Sequence, residues 1–145
     1  MATVSTYLNF NRRTEEAFLF YREVFGGDFT PPGILRMGDA PTAPGAPPLS
    51  DADKRQVMHV ALPIVGGHLL MGSDVPESMH QVVLGTQQYI CLDTDTRGET
   101  DRLYAALSAG GKAENPPADM FWGAYFGTCK DRFGIQWMFN THAKS

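Results

Sequence analysis

His59 stands in the middle of VMHVALPI, with Met58, Val60 and Leu62 alternating about it, so a strand here turns the imidazole away from the aliphatic face. An imidazole titrates near physiological pH and could act as a general base or orient an anionic ligand. The competing reading is a structural histidine bonded to a neighbouring strand, since no second catalytic group accompanies it. Tyr7, in TYLNF, is the other candidate acid or base. His68, His80 and His142 fall in turns or near the chain end and are read as solvated. Cys91 and Cys129 form no CxxC and read as small buried residues rather than a disulfide, a zinc site or a redox pair. Gly26-Gly27 and Gly66-Gly67 lack GxGxxG or Walker spacing, so they mark a helix stop and a turn, not phosphate loops. The acidic run DTDTRGETD supplies helix-cap chemistry through Asp95 or Thr96 and is assigned no metal.

These groups sit in a chain of 145 residues, 43% hydrophobic and 19% charged, long enough for one core and too short for two ordinary domains. A single soluble globular domain over 1–145 is expected. The net charge of -4 leaves no basic face for nucleic acid. No apolar run approaches the roughly 20 residues that span a bilayer, and MATVSTYLNFNRR has neither a basic leader nor a long apolar stretch. No membrane association and a cytoplasmic location are therefore expected.

The elements are written twice. Tyr7-Leu8-Asn9-Phe10 matches Tyr89-Ile90-Cys91-Leu92 at an offset of 82, Phe20-Tyr21 matches Leu103-Tyr104 at 83, Gly26-Gly27 matches Gly110-Gly111 at 84, and Pro31-Pro32 matches Pro116-Pro117 at 85. Further on, Gly67 pairs with Gly134 and Met71 with Met138, both at 67, because only the first copy carries MGDAPTAPGAPPLSDADKR. Ala17, Phe18, Tyr21, Val24 and Phe25 form an apolar stripe on a helix entered near Thr14 and ended by Gly26-Gly27. GETDRLYAALSA is the second helix, stopped at Gly110-Gly111. In TYLNF and QYICL, Leu8, Phe10, Ile90 and Leu92 should face the helices and Tyr7, Asn9, Tyr89 and Cys91 the other side. With strands near 57–65, 68–73, 122–129 and 135–140, the order is β-α-β-β-β in each of two modules, 1–75 and 84–145, an α+β fold.

YLNFNRRTEEAFLFYREVFGG, VMHVALPIVGGHLLMGSD and FWGAYFGTCKDRFGIQWMFN closely resemble the PhnB-like branch of the vicinal oxygen chelate superfamily, which includes glyoxalases, extradiol dioxygenases and bleomycin-resistance proteins. The resemblance runs along nearly the whole chain, and FWGAYFG…DRFGIQWM is its most specific part. It implies two modules whose mixed sheets curl into a cup with helices outside and the site within, and a homodimer. In metal-dependent relatives, two ligands come from the opening strands and two from the closing strands. Carried over by strand parity, these positions are Ser5, Gln87, Met71 and Met138. Two thioethers, an amide and a hydroxyl do not suit Zn, Ni, Fe or Mn, which need imidazole, carboxylate or thiolate, so a divalent metal is disfavoured and no cofactor is expected.

Without a metal, the expected ligand-binding lining is Tyr7, Asn9, His59, Met71, Gln87, Tyr89, Gln136 and Met138, joined by Trp122 and Phe126 on the seventh strand. The competing reading packs these side chains as an ordinary core, but two glutamines and an asparagine are accommodated more cheaply in a wet cleft than in a dry core. The insertion over 38–55 holds Pro41, Pro44, Pro47 and Pro48 and reads as a lid or as a solvated extension. Arg36, just before it, could reach an anionic substrate at the cup's edge, but reads rather as a surface ion pair with Asp39 or Glu23. Two functions remain open: a metal-free protein binding a small, partly aromatic or amphipathic molecule, or an enzyme of the superfamily (lyase, isomerase, dioxygenase or transferase), metal-dependent or using His59 or Tyr7 as acid/base. Fold resemblance does not choose between them.

Overall fold

Strand alternation and two amphipathic helices organise the chain, which a computed structural model describes over residues 1–79 and 81–142. His80 and residues 143–145, the end of the second module, lie outside the described residues. The chain divides between Val82 and Val83 into two compact units.

In the first unit, β1 (Thr6–Phe10) leads to α1 (Thr14–Phe25), a short β2 (Leu35–Arg36), α2 (Asp51–Arg55), β3 (Val57–Pro63) and β4 (Leu69–Asp74). The sheet order is β1-β4-β3-β2, with β1 parallel to β4 and the other pairs antiparallel. Glu15 and Glu16 sit in the first turn of α1, where the helix dipole favours them, and Gly26 closes the helix at a φ of 76°. Ala17, Phe18 and Tyr21 are fully buried, with Val60, Leu62 and Leu70 of the sheet equally so. Gly72 permits this close approach: a Cβ there would lie 2.6 Å from Phe18 Cε1. The start of α1 is tied to the sheet by buried Asp74, whose Oδ1 accepts from Thr14 N (3.1 Å) and Oγ1 (2.8 Å) while Oδ2 accepts from Val57 N (2.8 Å).

The second unit repeats the plan with β5 (Ile90–Asp93), α3 (Arg97–Ser108), β6 (Lys112–Asp119), β7 (Tyr125–Lys130) and β8 (Gln136–Thr141), in the order β5-β8-β7-β6. Thr96 caps α3 by accepting from Glu99 N, as the acidic run suggests. Leu103 and Leu107 are buried, and Tyr104 meets Phe139 edge-on at 5.4 Å. Thr141 takes the place of Asp74. Its hydroxyl lies 2.5 Å from that of Thr100 and 2.7 Å from that of Thr94, so the same join between helix and last strand is made by three hydroxyls.

The register corrects the repeat offsets at the start of the modules. Thr6 pairs with Leu70, and Ile90 with Trp137, which is 67 residues after Leu70, so β1 and β5 correspond at 84 rather than 82. The buried helix positions Thr14, Ala17, Phe18 and Tyr21 correspond to Thr100, Leu103, Tyr104 and Leu107 at 86 rather than 83. A slip of two residues leaves every strand side chain on its own face, which is why alternation alone does not detect it.

The insertion has structure of its own: a 3-10 turn at Met37–Asp39 and the helix α2, capped by Ser50 Oγ accepting from Asp53 N. Arg36 reaches neither Asp39 nor Glu23 with its guanidinium. It grips both carboxylate oxygens of Glu15 at 2.9 Å and also donates to Arg55 O, while Asp39 accepts from the Arg36 backbone N–H.

Candidate functional site

In each unit one sheet face is taken by the helix, and cross-strand partners fix what the opposite face carries. In the first unit, Tyr7 pairs with Met71, Ala61 with Met71, Asn9 with Ser73, and His59 with Leu35, so these side chains share the helix-free face. Tyr7 is 46% exposed and its ring centroid lies 6.0 Å from that of His59, with 35° between the planes. His59, Met71 and Ser73 are half-buried and Asn9 is exposed. Among the described residues, the Tyr7 hydroxyl, the Asn9 amide and the His59 ring make no hydrogen bond to the protein. Of the other histidines, His68 is not simply solvated, since its Nε2 lies 2.9 Å from Thr6 Oγ1.

In the second unit, Cys91 pairs with Met138, Thr128 with Met138, Phe126 with Asn140, and Asp93 with Asn140. Asn140 Nδ2 donates to Asp93 Oδ1 at 3.0 Å. Gln136 is buried, and its Nε2 donates to Gln88 O at 2.8 Å, so this amide is already used within the module. Gln87 and Tyr89 are exposed and precede β5 rather than lying in it. Trp122 lies in the turn before β7, not on the strand. It reaches back to meet Phe126 edge-on at 5.9 Å, and Phe121 caps the turn 99% exposed. Cys91 is exposed on the open face, contrary to the expected burial, and desolvation reinforced by Asp93 raises its pKa. Cys129 is buried as expected, and burial pushes its thiol up to about 12, leaving no thiolate at neutral pH.

The sequence reading missed Ser73, Asp93, Thr128 and Asn140 as members of these faces, while it set Cys91 on the side away from the helices. The signal was present, since Ser73 and Asn140 follow Met71 and Met138 by two residues and so share their parity.

The metal positions implied by the resemblance can be tested on this geometry. Ser5 and Gln87 lie outside the strands, and Met71 and Met138 bring only thioethers. At the observed offset of 84 the counterpart of Ser5 is Tyr89 and that of Gln87 is Thr3, which adds no imidazole or carboxylate. Among the described residues no three His, Cys, Asp or Glu side chains gather. A divalent catalytic metal does not fit this donor set.

A family profile described as Glyoxalase/Bleomycin resistance protein/Dioxygenase superfamily matches residues 5–139. The chain belongs to this superfamily. Within the glyoxalase/bleomycin-resistance superfamily it is similar to Protein YjdN of Escherichia coli, 25% identical over 142 residues, which cover 94% of this chain and 93% of that protein. Protein PA1353 from Pseudomonas aeruginosa has a crystal structure with a TM-score of 0.81 and 34% identity, matching 97% of this chain and 98% of that one. A PhnB protein from Bacillus cereus shares the glyoxalase-type fold at a TM-score of 0.72 and 21% identity, over 97% of this chain and 99% of that one. Two βαβββ modules, each with a four-stranded mixed sheet and a helix on one face, are the superfamily's α+β architecture. Among the described residues, no helix is long and apolar enough to cross a membrane.

Proposed function

We propose that this PhnB-like protein binds a small, partly aromatic or amphipathic molecule on the helix-free sheet faces, without a divalent metal at the superfamily's ligand positions. One observation carries the reading: Tyr7, Asn9 and His59 present polar groups with no described protein partner, beside the Met71 thioether, on the sheet face opposite α1. An aromatic body with a few hydrogen-bonding groups at its rim matches such a surface. Protein NMR titration with a neutral aromatic amide such as benzamide tests it. Shifts should gather at Tyr7, His59 and Met71, and Tyr7→Ala should weaken binding about tenfold, the scale of one lost stacking contact. Shifts scattered over the surface, or unaltered in Tyr7→Ala, would reject the reading.

A second reading, a metal-independent acid/base enzyme, is favoured by the closeness of the Tyr7 and His59 rings. It differs in outcome: His59→Ala would then abolish turnover of a bound substrate while leaving binding largely intact. A homodimer forms part of the proposal, because the edge strands β1 and β5 leave backbone groups that association can cover.

A further inference from the structure

The insertion contains a cleft that the sheet-face reading does not use. It measures about 190 Å³ and is lined by Met37, Gly38, Ala40, Pro48, Leu49 and Lys54 among others. Its two walls, the 3-10 turn at Met37–Asp39 and α2, are pinned to the first unit from both sides. Arg36 holds Glu15 next to the turn, Met37 N donates to Gln56 O at 2.8 Å, and Arg12 grips Asp53 of α2 at 2.9 Å. A turn closed by Ala46 N donating to Ala43 O folds the proline-rich segment so that Pro48 and Leu49 form part of the lining. Walls held this way lose little freedom when a ligand enters.

Lys54 supplies the chemistry. Its stem lies against Gly38, where an added Cβ would sit 3.0 Å from Lys54 Cβ and 3.2 Å from Lys54 O, so glycine is what lets the two walls meet. The Lys54 ammonium makes no ion pair or side-chain hydrogen bond among the described residues, whereas the neighbouring Asp53 is occupied by Arg12 and Gln56. An unpaired cation beside a methionine, a proline and a leucine matches one anion with a short alkyl tail.

We propose that this cleft is a second binding site, separate from the sheet faces, for a short-chain monocarboxylate whose carboxylate meets Lys54 and whose tail lies on Met37, Pro48 and Leu49. The experiment is an amide-resolved NMR titration of the full chain with hexanoate, hexanol and hexylammonium in parallel. Hexanoate should give saturable shifts at Gly38, Leu49 and Lys54, hexanol weaker ones and hexylammonium none. Lys54→Gln, an exposed change that removes the charge and keeps the Cβ and Cγ that lie against Gly38, should weaken hexanoate by about three- to fivefold, the worth of one solvent-facing ion pair. An equal response to hexylammonium, no saturable shift, or an unchanged affinity in Lys54→Gln would overturn the proposal. Shifts at Tyr7 and His59 instead would move the probe to the sheet face and overturn it as well, while leaving the reading of that face standing.

Discussion

Asp131 shows how much one side chain decides in this chain. It is buried, and its carboxylate takes the N–H groups of Phe133 (2.9 Å) and Ile135 (3.0 Å) on one oxygen and the Trp137 indole N–H (2.9 Å) on the other. Trp137 itself is fully buried against the helix side of its sheet. The Asp-x-x-Gly turn before β8 is therefore a hydrogen-bonded hub as well as a change of direction, and it sets where Met138 and Asn140 fall on the open face. Asp131→Ala strands several buried donors at once. It should lower unfolding stability by about 3 kcal/mol, read from urea denaturation at neutral pH. A loss under about 1 kcal/mol would mean that water replaces the carboxylate and that the hub is not what orients β8.

At the scale of elements, the insertion is held by ion pairs rather than by a core of its own. The bidentate Arg36 guanidinium lowers the Glu15 pKa below its ordinary value, against a smaller opposing push from desolvation. A carboxylate whose folded pKa is depressed contributes stability above its unfolded pKa, and that contribution is lost as pH falls through the folded value. The clasp should thus be intact at neutral pH and loosen below about pH 4.3, the ordinary glutamate value. With both side chains partly in water, the effect on global stability stays below about 1 kcal/mol. Hydrogen exchange of the Met37 and Lys54 amides is the sensitive readout: exchange corrected for pH should speed up on acidification in the wild type and be already fast, with no such acid step, in Glu15→Gln. An acid step that survives in Glu15→Gln would assign it to Asp53, whose pKa Arg12 lowers in the same direction.

For the molecule as a whole, the question is what travels with it. Native mass spectrometry of the purified protein, with and without added Ni, Zn or Mn, should give a dimer mass and no stoichiometric metal, because Ser5, Gln87, Met71 and Met138 offer neither imidazole nor carboxylate. One tightly held metal per chain would show that the ligand positions carried over from the superfamily are wrong. An additional organic mass would be the natural occupant of a sheet face or of the Lys54 cleft, and the Tyr7→Ala and Lys54→Gln variants would say which.

Local rules written in neighbouring residues made much of this legible from the sequence. Alternation gave the faces of β1 and β5, the Ala17-Phe18-Tyr21 spacing gave the buried stripe of α1, Gly26-Gly27 gave its end, and the repeat gave two βαβββ modules. The side chains at the metal positions needed only their identities to be read as unsuited to a divalent ion. What the tertiary structure decided depends on partners far apart in the chain. The two-residue slip of β5 against the repeat, the choice of Glu15 by Arg36, the capture of the Gln136 amide by Gln88 and the exposure of Cys91 all follow from register and packing. A period of two fixes which way a side chain points and says nothing of which residue stands opposite, because a strand moved by two residues presents the same face to a different neighbour.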